Sequence, residues 1–505
     1  MNNKIYYILT TLLIVLFTQI KLSAESYDRI ERRNLWNDGR NVTGILQDSV
    51  NVAYSELYYN SEQGEYRNFS DALNLWSAGV ETKAFNHYDK FSVIGAFSYD
   101  HTHGEEMSGS MFISPNLYPF DLLEFTPGEK TLQTYNFLGG ISSKVNDRLS
   151  IGVKGEFKTQ NYAKFKDLRH YNYRMELSLT PSVSYKIGNT TLGLSYIYAR
   201  NSETVKAQEV GSTAAAYYAF LNKGLMTGAY ETWSGTGIHL NESGINGFPV
   251  RENFNGLAAQ ISWNNLYGEL EYLYGKGEVG EKQTYWFNFP SHRYSARLGY
   301  SKMNGNKLHL FKMEAQYYTL TNNENVNGSV TENGVTTTVT YGSTKVFLTE
   351  QLSFTPHYEI MYQNGGNIEA GVNYYQVFNR STLMYPYVNE LTTNCYQAYI
   401  GGILPLNKFE LRGKMLFSTG DLHENGYQVA DNVDTGDQPT QLIEYYNIEN
   451  EYLTATTLST TISVRYNIMK SYYAEIGASH TQAFNLNYIE GNSRWGYSLK
   501  IGYKF

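Results

Sequence analysis

The sequence is poor in the residues that disulfide scaffolds, nucleic-acid-binding proteins and helical membrane proteins need. The single cysteine, Cys395, provides neither an internal disulfide nor a cysteine-based metal site. Charged residues make up 17% of the chain, and the net charge of −8 argues against nucleic acid as a partner. Beyond the N-terminus, no run reaches the roughly 20 apolar residues of a transmembrane helix. A disulfide-stapled domain and a bundle of membrane helices are both excluded.

Tyrosine, by contrast, is abundant. The chain has 47 Tyr, 24 Phe and 6 Trp, and aromatics are 15% of its residues. A tyrosine ring has one apolar and one polar end, so it suits the water–lipid interface that a membrane barrel meets twice. The mean hydropathy of −0.44 is compatible with a membrane protein, because barrel strands turn every second residue away from lipid.

The N-terminus has the pattern of a secretion signal. A lysine precedes the apolar run Ile5–Ile20, and the Leu-Ser-Ala triplet at 22–24 offers a small-residue cleavage site. We therefore predict a cleaved signal peptide at residues 1–24 and a periplasmic N-terminal lead-in at residues 25–48. An uncleaved membrane anchor is the alternative.

From about residue 70 onward, the chain alternates with a period of two. Between residues 149 and 157 every second side chain is apolar or glycine, while charged residues such as Lys154 and Glu156 stand between them. This period is typical of β-strands that have one apolar face. The same pattern recurs at residues 171–179, 266–274, 294–300, 409–417 and 458–466.

The connections between these segments alternate between short and long. This asymmetry is typical of bacterial outer-membrane barrels, which have short periplasmic turns and longer external loops. Short turns are predicted at 86–89, 146–148, 188–189, 264–265, 303–306, 405–407 and 468–471. Long loops are predicted at 104–130, 206–250, 280–290, 322–342, 381–393 and 423–452.

Strand parity adds one strand to the direct count of about 17. Both termini of such a barrel lie in the periplasm, so a periplasmic turn follows an even-numbered strand. One strand must therefore precede the strand before the first turn, and residues 50–59 are the candidate. The sequence predicts an all-β fold: a single transmembrane, antiparallel, up-and-down β-barrel at residues 49–505 with about 18 strands, or about 16 if one segment was split.

The C-terminal strand has the sharpest local pattern. Apolar and aromatic residues occupy alternate positions up to the terminal phenylalanine, with mostly polar residues between them. The pattern resembles the C-terminal signal by which outer-membrane proteins reach the barrel-assembly machinery, which is therefore an expected partner. An ordinary terminal strand is the alternative. The predicted assembly signal comprises Trp495, Tyr497, Leu499, Ile501, Tyr503 and Phe505.

Three short segments carry a resemblance to known proteins: residues 58–69 (YYNSEQGEYRNF), 95–99 (GAFSY) and 502–505 (GYKF). With them, the mature chain resembles the uncharacterised outer-membrane β-barrel families of Bacteroidota-type Gram-negative bacteria. The resemblance implies a barrel integral to the outer membrane, in contact with its lipid and lipopolysaccharide. It implies no substrate, because these families are named by architecture.

If the apolar residues face lipid, the residues between them point into the barrel. They carry charges of both signs, and a barrel of about 18 strands is wide enough for an aqueous channel. An Arg or Lys on the lipid face would cost roughly 2–4 kcal/mol near the membrane midplane, which supports this facing. A salt-bridged wall in a plugged barrel is the equal alternative. The predicted lumen-lining residues are Lys154, Glu156, Arg174, Glu176, Glu269, Glu271, Arg293, Arg297, Glu410, Arg412, Lys414 and Lys500.

Catalytic and metal-binding patterns are weak. His101 and His103, two apart on a strand, are weak candidates for metal ligands at the outer rim, and an exposed strand end is the favoured explanation. A hydrolase at the rim would need a Ser–His–acid arrangement, and no serine motif of defined spacing accompanies His480. We therefore predict no enzyme activity and no cofactor.

Two functions remain open. A porin-like channel or accessory transport barrel for small solutes, working with an outer-membrane transport partner, predicts a continuous charged lumen. A non-conducting surface scaffold predicts a lumen blocked by the N-terminal segment or by residues 206–250, whose apolar stretch at 214–221 could fold inward. A hydrophobic-compound transporter with an N-terminal hatch is less favoured. A TonB-dependent receptor is set aside because about 25 residues before the first strand leave no room for a plug domain.

Overall fold

The computed structural model describes residues 27–208, 219–224, 230–232, 245–281, 284–382, 388–426, 440–469 and 471–505. Two α-helices, α1 (Tyr27–Arg33) and α2 (Thr440–Thr454), and one 3-10 helix (Val42–Gln47) accompany the strands. The strands are β1 (Val52–Gln63), β2 (Asn74–His87), β3 (Phe91–Ser110), β4 (Asp121–Lys144), β5 (Leu149–Lys164), β6 (Arg169–Ile187), β7 (Thr190–Gln208), β8 (Ala219–Asn222), β9 (Tyr230–Thr232), β10 (Ile245–Trp263), β11 (Leu266–Glu281), β12 (Thr284–Asn304), β13 (Lys307–Glu332), β14 (Val335–Tyr362), β15 (Asn367–Ser381), β16 (Asn389–Leu406), β17 (Phe409–Gly426), β18 (Thr456–Asn467), β19 (Tyr472–Phe484) and β20 (Ser493–Lys504).

Eighteen of these strands form one closed antiparallel barrel. Each pairs with its neighbours along the chain, β7 pairs with β10, and β1 pairs with β20 to close the ring. The short strands β8 and β9 stand outside the ring, since β8 pairs with β4 and β9 pairs with β8. The predicted barrel class and the count of 18 are thus confirmed, and the alternative of 16 is wrong. The strand expected at residues 50–59 is β1.

Tight turns lie at the end of the barrel where β1 begins and β20 ends, which we call the turn end. The turns before β7, β11, β13 and β17 each have a first residue with positive φ: Gly188, Asn264, Gly305 and Asn407. Two-residue hairpins require that conformation, and glycine and asparagine adopt it most readily. The opposite end, which we call the loop end, carries the longer connections and also the tight turn at Asn333 and Gly334 between β13 and β14.

Four connections differ from the prediction. Residues 280–290 and 322–342 were expected to be loops, but they mostly continue β11 to β14 as long hairpins. The expected loop at 104–130 shortens to residues 111–120. A turn at 363–366 was not predicted. Beyond the membrane both faces of a hairpin meet water, so a polar, threonine-rich strand shows none of the apolar alternation on which the prediction relied.

The outer face of the barrel is apolar along its middle. Aliphatic side chains that remain exposed to the surroundings occupy alternate positions on successive strands, as expected where strands face lipid. Aromatic pairs such as Phe409–Tyr466 and Tyr472–Tyr503 lie near the turn end, and Tyr272–Tyr294 lies further toward the loop end. Among the described residues, no helix is long and apolar enough to cross a membrane. The exposed aliphatic set includes Leu57, Ile141, Val153, Leu194, Leu257, Leu270, Leu298, Leu352, Val372, Ile400, Leu411, Ile462, Ile476 and Leu499.

Candidate functional site

The N-terminal segment, residues 27–51, lies inside the barrel at the turn end. Its helix α1 contacts β1 and β2, and its 3-10 helix contacts β3 to β6. On the other wall, Arg32 lies 3.2 Å from Glu359 of β14, and Arg29 donates to the Tyr362 carbonyl at 2.7 Å. The segment therefore touches both sides of the lumen and covers part of its cross-section.

Buried carboxylates of β11 anchor the middle of the N-terminal segment. Arg40 Nε lies 2.6 Å from Glu271, and the Arg40 backbone N–H donates to Glu269 at 2.9 Å. Arg297 of β12 pairs with the same two carboxylates and, at 2.8 Å, with Glu314. Both β11 side chains are fully enclosed. Two guanidinium groups thus compensate two buried acids. One of these guanidinium groups, that of Arg40, belongs to the N-terminal segment.

Polar and apolar contacts extend this anchoring along the N-terminal segment. The Asn41 amide donates to the Val183 carbonyl at 3.0 Å and to Gln260 at 3.1 Å. Trp36 packs on Tyr267, with ring centroids 5.6 Å apart. A Cβ at Gly39 would lie 2.0 Å from the Tyr267 hydroxyl, so this close approach requires glycine.

Asp38 pairs with a lysine of the wall. Its carboxylate lies 2.5 Å from the Lys312 ammonium. Burial nevertheless raises the pKa of Asp38 above its ordinary value, with Lys312 opposing the shift. The N-terminal segment is therefore held to β13 as well as to β11 and β14.

At the loop end, helix α2 lies across the mouth of the barrel. Leu442 and Tyr445 pack with Leu123 of β4 and Phe220 of β8. Tyr446, further round the helix, packs against a cluster on β14 and β16. The following turn of helix α2, with Ile448 and Tyr452, packs against the loops after β1 and β19. We call α2, β8 and residues 111–120 the lid.

Residues 111–120 enter the lumen and form an apolar core with the wall. Glu203 of β7 holds this loop by accepting from the Ile113 backbone at 3.0 Å and the Tyr118 hydroxyl at 3.2 Å. Arg174 donates to the Ser114 hydroxyl at 3.1 Å. The core contains Met111, Phe112, Tyr118, Phe120, Leu122, Leu168, Val205, Ala207, Ala219, Leu221, Phe248, Val250, Val279, Phe287, Phe289 and Leu320. Within the loop predicted at residues 206–250, β8 pairs with β4 and joins this core, while 214–218 lie outside the described residues.

Two cavities lined partly by charged side chains lie in the lumen. The first, which we call the vestibule, has a volume of about 1270 Å³ and lies at the turn end beside the segment. The second, the central cavity, has a volume of about 500 Å³ and lies deeper in the barrel. Glu81 and Lys83 line both cavities, so the two meet at this pair. Charged side chains therefore line the lumen from the turn end to the middle of the barrel.

The vestibule is rich in positive charge. Its lining includes seven cationic side chains, Arg29, Arg32, Lys83, Arg412, Arg465, Lys500 and Lys504, and three carboxylate side chains, Glu56, Glu81 and Glu410. Neighbours pair with several of them: Lys500 lies 3.0 Å from Glu56, and Arg412 lies 3.0 Å from Glu410. Cations exceed carboxylates by four, so the vestibule is a basic surface.

The twelve residues predicted to line the lumen all lie on inward-facing strand positions: nine form three groups, and the other three pair with nearby carboxylates. Glu410, Arg412 and Lys500 line the vestibule; Glu156, Glu176 and Arg293 line the central cavity. Glu269, Glu271 and Arg297 are closed off beneath the N-terminal segment. Lys154 pairs with Glu156 at 3.0 Å, Arg174 with Glu176 at 2.6 Å, and Lys414 lies 3.7 Å from Glu369.

Most of the remaining predicted residues lie on the outer face, while Phe505 lines the vestibule. Trp495, Tyr497, Leu499 and Ile501 of the predicted assembly signal are exposed along β20, and the ring of Tyr503 lies 4.6 Å from that of Phe505. The rings of His101 and His103 lie 5.4 and 5.7 Å from that of Trp76. Neither histidine belongs to the one group of metal-ligand side chains found among the described residues.

Sequence reasoning missed the residues that close the lumen, above all Arg40 and Glu203. Arg40 is separated from Glu271 by 231 positions. Neither residue belongs to a motif. The available signal was the arginine itself. Between Asn34 and Leu46 the only other charged residue is Asp38.

The fold and the lumen define a transmembrane β-barrel of the outer-membrane class. The chain belongs to the family of unknown function DUF6850, whose match covers residues 42–505. No curated protein matches the sequence.

Several solved structures share the general architecture at low identity. The ferric preacinetobactin receptor BauA from Acinetobacter baumannii is 8% identical, with 91% of this chain and 80% of that chain covered and a TM-score of 0.41. The outer membrane transporter YddB from Escherichia coli is 8% identical, with 91% and 81% covered and a TM-score of 0.44. The ferric yersiniabactin uptake receptor FyuA from Yersinia pestis is 8% identical, with 91% and 80% covered and a TM-score of 0.41.

Proposed function

We propose that the protein is a gated transport barrel for small polar solutes in the outer membrane of a Gram-negative, Bacteroidota-type bacterium, with the turn end in the periplasm. The observation that carries the proposal is that two cavities lined by charged side chains, the vestibule and the central cavity, adjoin at Glu81 and Lys83. A barrel built only as a scaffold has no need of charged cavities inside its lumen. The lid and the N-terminal segment then act as two gates in series.

The basic vestibule indicates which solutes pass. Excess positive charge along a narrow path raises the local concentration of anions and lowers that of cations. Small anionic solutes are therefore the proposed cargo class. The protein binds and conducts them without covalent chemistry, so the proposal is for a transporter and not for an enzyme.

A non-conducting scaffold is the second candidate, and one observation favours it. The hairpin of β13 and β14 is 26 and 28 residues long, whereas a strand needs about 9–11 residues to cross a membrane. Its outer part projects from the loop end with exposed Val335 and Tyr341. Such an arm could bind a surface partner whether or not the lumen conducts.

Single-channel recording separates the two candidates. Residues 25–505, the chain expected after signal cleavage, would be refolded and inserted in a planar bilayer. Arg40→Ala loosens the N-terminal segment by removing its pair with Glu271, and Tyr445→Ala loosens the lid by removing a ring 5.3 Å from that of Phe69. Losing a charge-assisted contact worth about 1.5–3 kcal/mol raises an opening equilibrium roughly 10- to 100-fold.

We expect brief openings in the unmodified protein and frequent openings in the double variant, because both gates must open together. The control is the double variant Arg380→Ala with Ile443→Ala. The first change removes an exposed ion pair at the loop end, and the second removes an exposed side chain of helix α2, the helix that contains Tyr445. This control should behave like the unmodified protein. Silence of a folded, inserted double variant would overturn the transport proposal and leave the scaffold.

A further inference from the structure

Three side chains that can ligate a metal meet on the lumen wall, close to the turn end. They are His357 and Glu359 of β14 and Glu369 of β15, and their ligand atoms all lie within 4.8 Å of one another. Residues two apart on a strand point to the same face, so His357 and Glu359 both face the lumen. Glu359 and Glu369 are direct cross-strand partners. The pairing of β14 with β15 thus brings one nitrogen and two carboxylates together.

One oxygen of this cluster is buried without a hydrogen bond. The Glu359 side chain is 1% exposed; its Oε1 accepts from Arg32 and Asn367, while its Oε2 has no hydrogen-bond partner. The His357 Nε2 atom lies 3.8 Å from this Oε2, which is too long for a hydrogen bond. Leaving a buried carboxylate oxygen unpaired costs free energy. A cation between these two atoms would satisfy both.

The ring of His357 is held by its other nitrogen. Its Nδ1 lies 2.7 Å from the Tyr399 hydroxyl of β16. When Nδ1 carries the proton and donates to Tyr399, the lone pair of Nε2 faces Glu359. Metal-binding histidines are oriented in this way by a partner on the second nitrogen. The wall therefore supplies a ligand and the contact that fixes its direction.

Each of the two carboxylates of this cluster also lies near a cationic side chain. Arg32 of the N-terminal segment lies 3.2 Å from Glu359, and Lys414 lies 3.7 Å from Glu369. Neither cation contacts the unpaired Oε2. A metal ion bound there would draw Glu359 away from Arg32, and so weaken one of the contacts that hold the segment against β14.

We propose that His357 Nε2, Glu359 Oε2 and Glu369 form a site for a divalent first-row transition metal such as Zn²⁺. Imidazole nitrogen with carboxylate oxygen suits such ions, and three protein ligands leave a position open to the lumen. The site does not depend on the proposed transport function, because a non-conducting barrel would bind the metal equally well.

Metal titration of the folded, full-length barrel in detergent tests the site. Zn²⁺ binding is measured by calorimetry, and Co²⁺ binding by its visible absorption. We expect one site, weakened at least about 100-fold in His357→Ala and in Glu359→Gln. His309→Ala is the matched control, because its Nδ1 also lies 2.7 Å from a tyrosine hydroxyl, that of Tyr358, but it stands on the lipid-facing side of β13.

Heat-modifiable migration on gels establishes that each variant is folded, and His357→Gln serves in place of either variant that fails to fold. Unchanged affinity in the His357 variants would overturn the proposal, as would absence of binding to the unmodified protein. A loss of affinity in His309→Ala equal to that in His357→Ala would also overturn it. Loss confined to the His357 and Glu359 variants would establish the site.

Discussion

At the scale of single residues, the lumen wall compensates the buried carboxylates of β11 with an arginine. Arg297 contacts three carboxylates, those of Glu269, Glu271 and Glu314. The first two are fully enclosed, so their ionised forms are costly without a cation nearby. Removing one member of a buried ion-pair cluster is much more damaging than replacing the whole cluster, because the remaining charges keep their desolvation cost.

Arg297→Met is therefore expected to lower the free energy of unfolding by about 3–5 kcal/mol. Urea unfolding of the barrel in lipid vesicles, followed by tryptophan fluorescence, measures the change. Lys276→Met on β11 is the control, since the Lys276 side chain is 61% exposed where it pairs with Glu278. An exposed pair contributes about 1 kcal/mol or less. Equal losses in the two variants would show that Arg297 has no special role.

At the scale of elements, the lid helix α2 contains a buried acid. Glu449 is 6% exposed and accepts from the Asn116 amide at 2.9 Å. Burial raises the pKa of Glu449 to about 7, and the negative charge of Asp71 adds to the shift. The docked helix thus favours the protonated carboxyl, whereas a solvated glutamate ionises near pH 4.3. Docking is strongest below about pH 4, weakens as the pH rises, and is weakest above about pH 7.

Hydrogen exchange of α2 should follow this titration. Between pH 5 and pH 8, protection of its amides, corrected for the intrinsic exchange rate, should fall by at least about tenfold. Glu449→Gln removes the titrating group and should flatten the profile. Glu444→Gln, an exposed position on the same helix, should keep it. A flat profile in the unmodified protein would show that docking does not depend on Glu449.

The elements differ in how far the sequence reveals them. Within the membrane a strand has one face in lipid and one in the lumen, so the period-two pattern predicted β5, β6 and β17 well. Beyond the membrane that contrast disappears, and the outer parts of β13 and β14 were predicted as a loop. Helix α2 was also missed, because the residues that bury its apolar side chains lie on strands distant in the sequence.

At the scale of the whole molecule, the sequence pattern predicted which side chains point into the barrel. It could not predict which elements fill the lumen. Alternation alone identified which charges point inward, including Glu269 and Arg297. It gave no information on which of them meet the N-terminal segment, because Arg40 pairs across 231 positions and no local pattern encodes such a partner. An open channel and a plugged barrel therefore had the same sequence signature. In the structure the N-terminal segment and the lid occupy the two ends of the lumen, and charged side chains line the cavities that they leave.

Under the proposed transport function, the net charge of the vestibule is expected to determine which ions the open barrel prefers. With seven cationic and three carboxylate side chains along the path, the conducting double variant Arg40→Ala with Tyr445→Ala is expected to favour chloride over potassium. Adding Arg412→Ala and Lys414→Ala removes two inward charges, and should lower the chloride-to-potassium permeability ratio by about twofold or more. Reversal potentials in a salt gradient measure this ratio.

Lys302→Gln provides the control for that measurement, because it removes one positive charge near the same end of the barrel at an exposed position on the outer face. It should leave the permeability ratio unchanged. If the Arg412 and Lys414 changes leave the ratio where it was while conductance persists, ions pass by a route that avoids the vestibule. Cation preference in the starting variant would contradict an anionic cargo directly, because the basic lining would then have no influence on the permeating ion.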